Sequence, residues 1–213
     1  MIVSDVMDLL NKGGLLVWPI LFCSIVGMTI FFERLLLYRK VLKQIGGNGS
    51  VYSLMSDGRF SESAEWLKES NSDYSLDRRI MLEALNSESA ERETIEMVLV
   101  HGLDKEVTSL SKTLNTLGVL ASVSPLLGLL GTVIGMIKAF IVVEEMGGSV
   151  NAAVLAGGIW EAMLTTAFGL LAAIPLLFFH NHLDDKLQNI QAQLEDVATN
   201  FMKSWAQGQK RLA

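Results

Sequence analysis

Glu161 lies in the run Ala156-Gly-Gly-Ile-Trp-Glu161-Ala-Met-Leu-Thr165-Thr166-Ala-Phe-Gly169-Leu-Leu-Ala-Ala173-Ile-Pro175, which holds no basic residue. A charged side chain at the centre of a bilayer costs about 2.5 to 3.5 kcal/mol on insertion scales, so a carboxyl in such a run points first to ion or proton movement. Hydroxyls accompany it. Thr165 and Thr166 follow within five residues, and Thr132 sits in a second apolar run. At 1.5 Å of rise per residue, Thr132 and Thr166 each fall near the middle of their runs, with Glu161 about 7 Å from Thr166 along the helix. At about 100° per residue, Thr165 lies nearer the Glu161 face than Thr166 does. The hydroxyls therefore occupy more than one face, one for a neighbouring helix and one for a lumen. Plainer readings stand beside this one: a threonine that returns its hydroxyl to a carbonyl one turn earlier, and a protonated Glu161 that locks two helices together.

The elements that must position these groups are membrane helices. Half the residues are hydrophobic, and they concentrate in three stretches, 14–32, 117–143 and 152–179. Each can cross a hydrocarbon core of about 30 Å, which takes around 20 helical residues. The first stretch follows Asp5 and Asp8 and ends in Glu33-Arg34 without a small-residue cleavage site, so it is expected to remain as a signal anchor. Arg34, Arg39, Lys40 and Lys43 follow it, against Lys12 alone before it, which places the amino terminus outside and the carboxy terminus inside. Cys23, within the first span, has no partner in the chain and reads as a small apolar residue. A net charge of −6 argues against nucleic acid as a partner.

The expected organisation is all-α: an outer amphipathic helix (1–13), a first transmembrane helix (14–37), a cytoplasmic helical region (38–116), a second transmembrane helix (117–143), a periplasmic loop (144–151), a third transmembrane helix (152–179) and a cytoplasmic carboxy-terminal helix (180–213). Apolar residues at Ile95, Val98, Gly102, Val107, Leu110, Leu114 and Leu117 run without proline into the second span. Leu183, Leu187, Ile190, Leu194, Val197, Phe201 and Trp205 continue the third span with near-heptad spacing. Both membrane helices are thus expected to extend into the cytoplasm.

Small residues set the packing. Gly128, Gly131 and Gly135 in the second span and Gly169 with Ala173 in the third sit at spacings that let helices approach closely. A phosphate-cradling loop is disfavoured, because no strand precedes these glycines and no Lys-Ser/Thr follows them. Pro175 removes a backbone donor near the inner end and leaves the Leu171 carbonyl for another partner. Lys138, near the outer end of its span, can snorkel to the headgroups. No cofactor, metal or enzymatic chemistry is expected. Three helices cannot bury a carboxyl, several hydroxyls and two close-packing faces alone, so a homo-oligomer around a lumen or around a partner's helices is implied.

The stretch from Ser124-Pro-Leu-Leu-Gly to Phe140, then Gly157-Gly-Ile-Trp-Glu through Pro175 with Asn181, resembles the signature of the ExbB/TolQ/MotA proton-channel family. Trp18-Pro19 and Glu33-Arg34-Leu35 fit the same pattern. Ser124 stands where alanine is usual, Trp160 is bulky beside the acid, and His180 replaces a common tyrosine. With three spans rather than four, the chain is closer to the ExbB and TolQ types. The resemblance implies a pentamer in a bacterial inner membrane, with two copies of an ExbD/TolR-like single helix in its pore. It also implies an essential aspartate on that partner and coupling of proton-motive force to a TonB- or TolA-like protein. Glu161, Thr132 and Thr166, with Thr165 beside them, then occupy pore-associated positions.

Overall fold

The computed structural model describes residues 13–69, 75–87, 91–145 and 152–212. The expected outer helix, apart from Gly13, and the 146–151 part of the expected loop lie outside them. Among the described residues there are six α-helices and no strand: α1 (Val17–Gln44), α2 (Gly49–Ser56), α3 (Phe60–Glu69), α4 (Leu76–Leu85), α5 (Arg92–Glu145) and α6 (Ala152–Leu212). The helices α1, α5 and α6 are long and apolar enough to cross a membrane. Both α5 and α6 run unbroken from apolar into polar sequence, and their prolines, Pro125 and Pro175, are carried inside helix.

The contacts group the chain into two units, Met1–Phe32 with Thr113–His182, and Glu33–Lys112 with Leu183–Ala213. In the first, the usual distribution of side chains is inverted. Small residues are inside: Ala121, Ser124, Ala139, Ala162 and Ala173 are buried, while Phe22, Leu126, Phe140, Met163, Leu171 and Phe178 are exposed. Hydrocarbon gives large apolar side chains no reason to turn inward, so close backbone packing and interhelical hydrogen bonds hold such helices together. The α1 helix joins through Gly27, where a Cβ would lie 2.4 Å from Leu176 Cδ2. The Phe31 and Phe179 rings stack with centroids 4.0 Å apart.

The second unit packs as water-soluble proteins do. All seven residues of the predicted α6 seam, from Leu183 to Trp205, are buried. On α5 the buried stripe includes Leu99 and Leu103, which the expected register passed over, while Val98 and Val107 are only half-buried. The Tyr38 hydroxyl, from the end of α1, donates to the Leu110 carbonyl at 3.1 Å. The turn after α1 is pinned by the fully buried Asp77, whose Oδ2 accepts from the Gly46 amide at 3.0 Å and from Asn48 Nδ2 at 2.8 Å. Arg211 near the end of α6 pairs with Asp57.

Candidate functional site

The polar residues of the first unit are placed by an antiparallel seam between α5 and α6. Gly128 and Gly169 face each other: a Cβ on Gly169 would stand 2.8 Å from the Ser124 carbonyl oxygen and 3.0 Å from Gly128 Cα. Two turns along α5, a Cβ on Gly135 would meet Ala162 Cβ at 2.7 Å, and one on Gly158 would meet Ala139 Cβ at the same distance. Between them Gly131 accommodates Thr165, whose Cγ2 would be 2.3 Å from an added Cβ. The seam thus also uses Ser124, Ala139, Gly158 and Ala162, small residues whose three- and four-residue spacing continues that of the glycines on each helix. Ala173 is buried and Pro175 half-buried further along α6.

Backbone contact this close brings carbonyls within reach of hydroxyls on the facing helix. Thr166 Oγ1 donates to the Gly128 carbonyl at 2.9 Å. Thr165 Oγ1 lies 2.6 Å from the Gly13 carbonyl and 3.0 Å from that of Glu161. Thr165 is 2% exposed, so its hydroxyl is committed to protein partners. Thr132 differs, since its hydroxyl returns to the Leu129 carbonyl at 2.6 Å within its own helix. Thr132 and Thr166 therefore serve different partners within one chain: Thr166 closes the seam, and Thr132 stands on a half-buried face.

The Glu161 carboxyl packs over the start of the described chain. A Cβ on Gly14 would be 2.6 Å from Glu161 Oε1, and Gly14 has φ +76. Only glycine meets both conditions without strain. Glu161, Thr165, Gly13, Gly14, Gly131, Gly135 and Lys138 are among the residues around one cavity of about 180 Å³. Its wall is mostly apolar, with Glu161, Thr165 and Lys138 as the polar side chains on it, and it is large enough for water. Such a site can hold a hydrated proton or pass one along; among the described residues, no group of three or more His, Cys, Asp or Glu is placed to hold a metal.

Sequence reasoning placed Glu161 and Thr165 on one face. Gly13 and Gly14 were missed, because a contact spanning 152 residues leaves no local signal. Lys138 was read only as a snorkelling end residue.

Comparison with known proteins gives the site a setting. Residues 72–196 match the model of the MotA/TolQ/ExbB proton channel family. The chain is 28% identical over 209 residues to the biopolymer transport protein exbB1 of Vibrio cholerae, covering 96% of this chain and 90% of that one. It is 29% identical over 210 residues to the biopolymer transport protein ExbB of Salmonella typhimurium, covering 94% and 80%. It is 38% identical over 101 residues to the Tol-Pal system protein TolQ of Haemophilus influenzae, covering 46% and 43%.

Proposed function

The chain belongs to the MotA/TolQ/ExbB proton channel family, and from that premise we propose that it is the ExbB-type subunit of a proton-driven motor in a bacterial inner membrane. Its amino terminus faces the periplasm and its carboxy terminus the cytoplasm, in keeping with the basic residues that follow the first span. It assembles as a pentamer around two copies of an ExbD/TolR-like single-helix partner. A TonB- or TolA-like protein takes up the mechanical output for transport across the outer membrane.

The observation that carries this reading is the Glu161 carboxyl on a cavity between helices long and apolar enough to cross a membrane, with Thr165 on the same cavity. In the mechanism, a carboxylate on the partner helix takes a proton from the outside, passes the ring of Thr132 and Thr166, and releases it inside. That cycle drives rotation of pentamer against dimer. Glu161 tunes or relays beside the path rather than serving as the cycling carrier. One charge crossing 100 mV releases about 2.3 kcal/mol, so mechanical steps of several kcal/mol consume more than one proton.

The TolQ resemblance favours a second reading, in which the same motor serves envelope maintenance rather than uptake. Glu161→Gln tests the role of the acid in either. A variant that assembles normally is expected to lose most energised transport, and full transport by such a variant would remove Glu161 from the scheme.

A further inference from the structure

The cavity beside Glu161 contains a charge that the reading above does not use. Lys138 of α5 lines it together with Glu161. The depth of the two is fixed by the seam. Gly135 packs on Ala162 and Ala139 on Gly158, and Lys138 lies between the two α5 contacts while Glu161 lies between the two α6 contacts. The charges therefore sit within about one helical turn of each other in depth. The remaining lining side chains are apolar, glycine or threonine. Lys138, an exposed residue, is thus the one charge besides Glu161 among the described residues lining this cavity.

An intramembrane acid needs a compensating partner, and a lysine stem can cover apolar surface while its ammonium stays solvated. Lys138 does not form a direct ion pair with Glu161, so the two charges border the same cavity without touching. Gly14 packs closely against the carboxyl, and any side chain there would displace Glu161 Oε1.

We propose that Lys138 is the counter-charge of Glu161 across this shared cavity and positions that carboxylate for its part in proton movement. The proposal rests on the proton-channel reading for its consequence but not for the pairing itself. Neutralising Lys138 leaves Glu161 as a lone charge beside the cavity; neutralising both removes the imbalance.

The test restores the charge chemically on assembled protein. In a Cys23→Ala background, Lys138→Cys is purified with its membrane partner and treated either with aminoethyl methanethiosulfonate, which rebuilds a cationic side chain, or with the uncharged methyl reagent. Thermal stability of the assembly and proton flux in vesicles are both read. The unmodified cysteine form should be impaired about two- to fivefold in flux, within the range of a partly solvated charge pair. The cationic adduct and Lys138→Arg should recover both readouts, and the neutral adduct should recover neither. In a Glu161→Gln background the two adducts should behave alike.

Equal behaviour of the adducts with Glu161 present, or a cationic benefit that survives Glu161→Gln, would overturn the pairing. Charge-dependent stability in a complex that conducts no protons at all would uphold the pairing and reject the channel reading, so the two failures are distinguishable.

Discussion

Thr166 donates its hydroxyl to the carbonyl of Gly128 at 2.9 Å, where Gly128 and Gly169 bring the α5 and α6 backbones together. Its neighbour Thr165 serves a different element, the Gly13 carbonyl ahead of α1. Two adjacent threonines thus tie α6 to both other parts of the membrane unit. Small residues make each of these bonds short enough to form, and the Glu161 cavity opens beside the second.

The seam should be intolerant of added volume. At Gly169 a new methyl would press on the Ser124 carbonyl and on Gly128 Cα, both backbone and unable to swing away. Gly169→Ala is expected to lower stability by about 1 to 3 kcal/mol, as overpacking does, and to weaken assembly in detergent. Gly157→Ala, where a Cβ would meet nothing within 4 Å in this chain, is the control and should unfold like the parent in the same thermal scan.

The threonines should separate packing from conduction. Thr166→Val removes the donor to Gly128 at nearly constant volume and is expected to cost about 0.6 kcal/mol, the average for interhelical bonds in membranes, while Thr166→Ser keeps the bond. Thr132 bonds only within its own helix, so Thr132→Val should change stability by no more than a few tenths of a kcal/mol. Flux measured beside stability then assigns its role: a drop in flux alone places Thr132 on the proton path, and unchanged flux removes it.

Alkaline pH should weaken the second unit through Tyr38. Burial raises its phenol above the ordinary value of 10.0, with Asp184 adding to the rise and Arg34 opposing it. Because the folded state holds this proton more tightly than the unfolded chain, the stabilisation is complete below pH 10 and is lost as pH climbs toward the folded value. Tyr38→Phe should lose about 1 kcal/mol at neutral pH with the bond to Leu110. It should also show a shallower decline in melting temperature above pH 10 than the parent.

Much of this was legible in the chain itself. Three apolar stretches and the glycine spacing pointed to membrane helices that pack closely, and a rotation of 100° per residue put Thr165 beside Glu161. Helical period alone could not choose between neighbouring stripes on α5, which is why Leu99 and Leu103 were passed over. Nor could it say that Lys138 borders the Glu161 cavity, since that depends on the face α5 offers to α6. Gly13 and Gly14 became part of the site only once folding brought the start of the chain against residues some 150 positions later.

The central claim is that this chain forms a proton channel only with a single-helix partner in its pore. Proton flux into vesicles under an imposed potential, measured for the chain with its cognate partner and for the chain alone, tests it most directly. The account predicts flux with the partner, little without it, and loss on replacing the partner's membrane aspartate by asparagine. Equal flux with and without the partner, or none in either case for a correctly assembled complex, would contradict it.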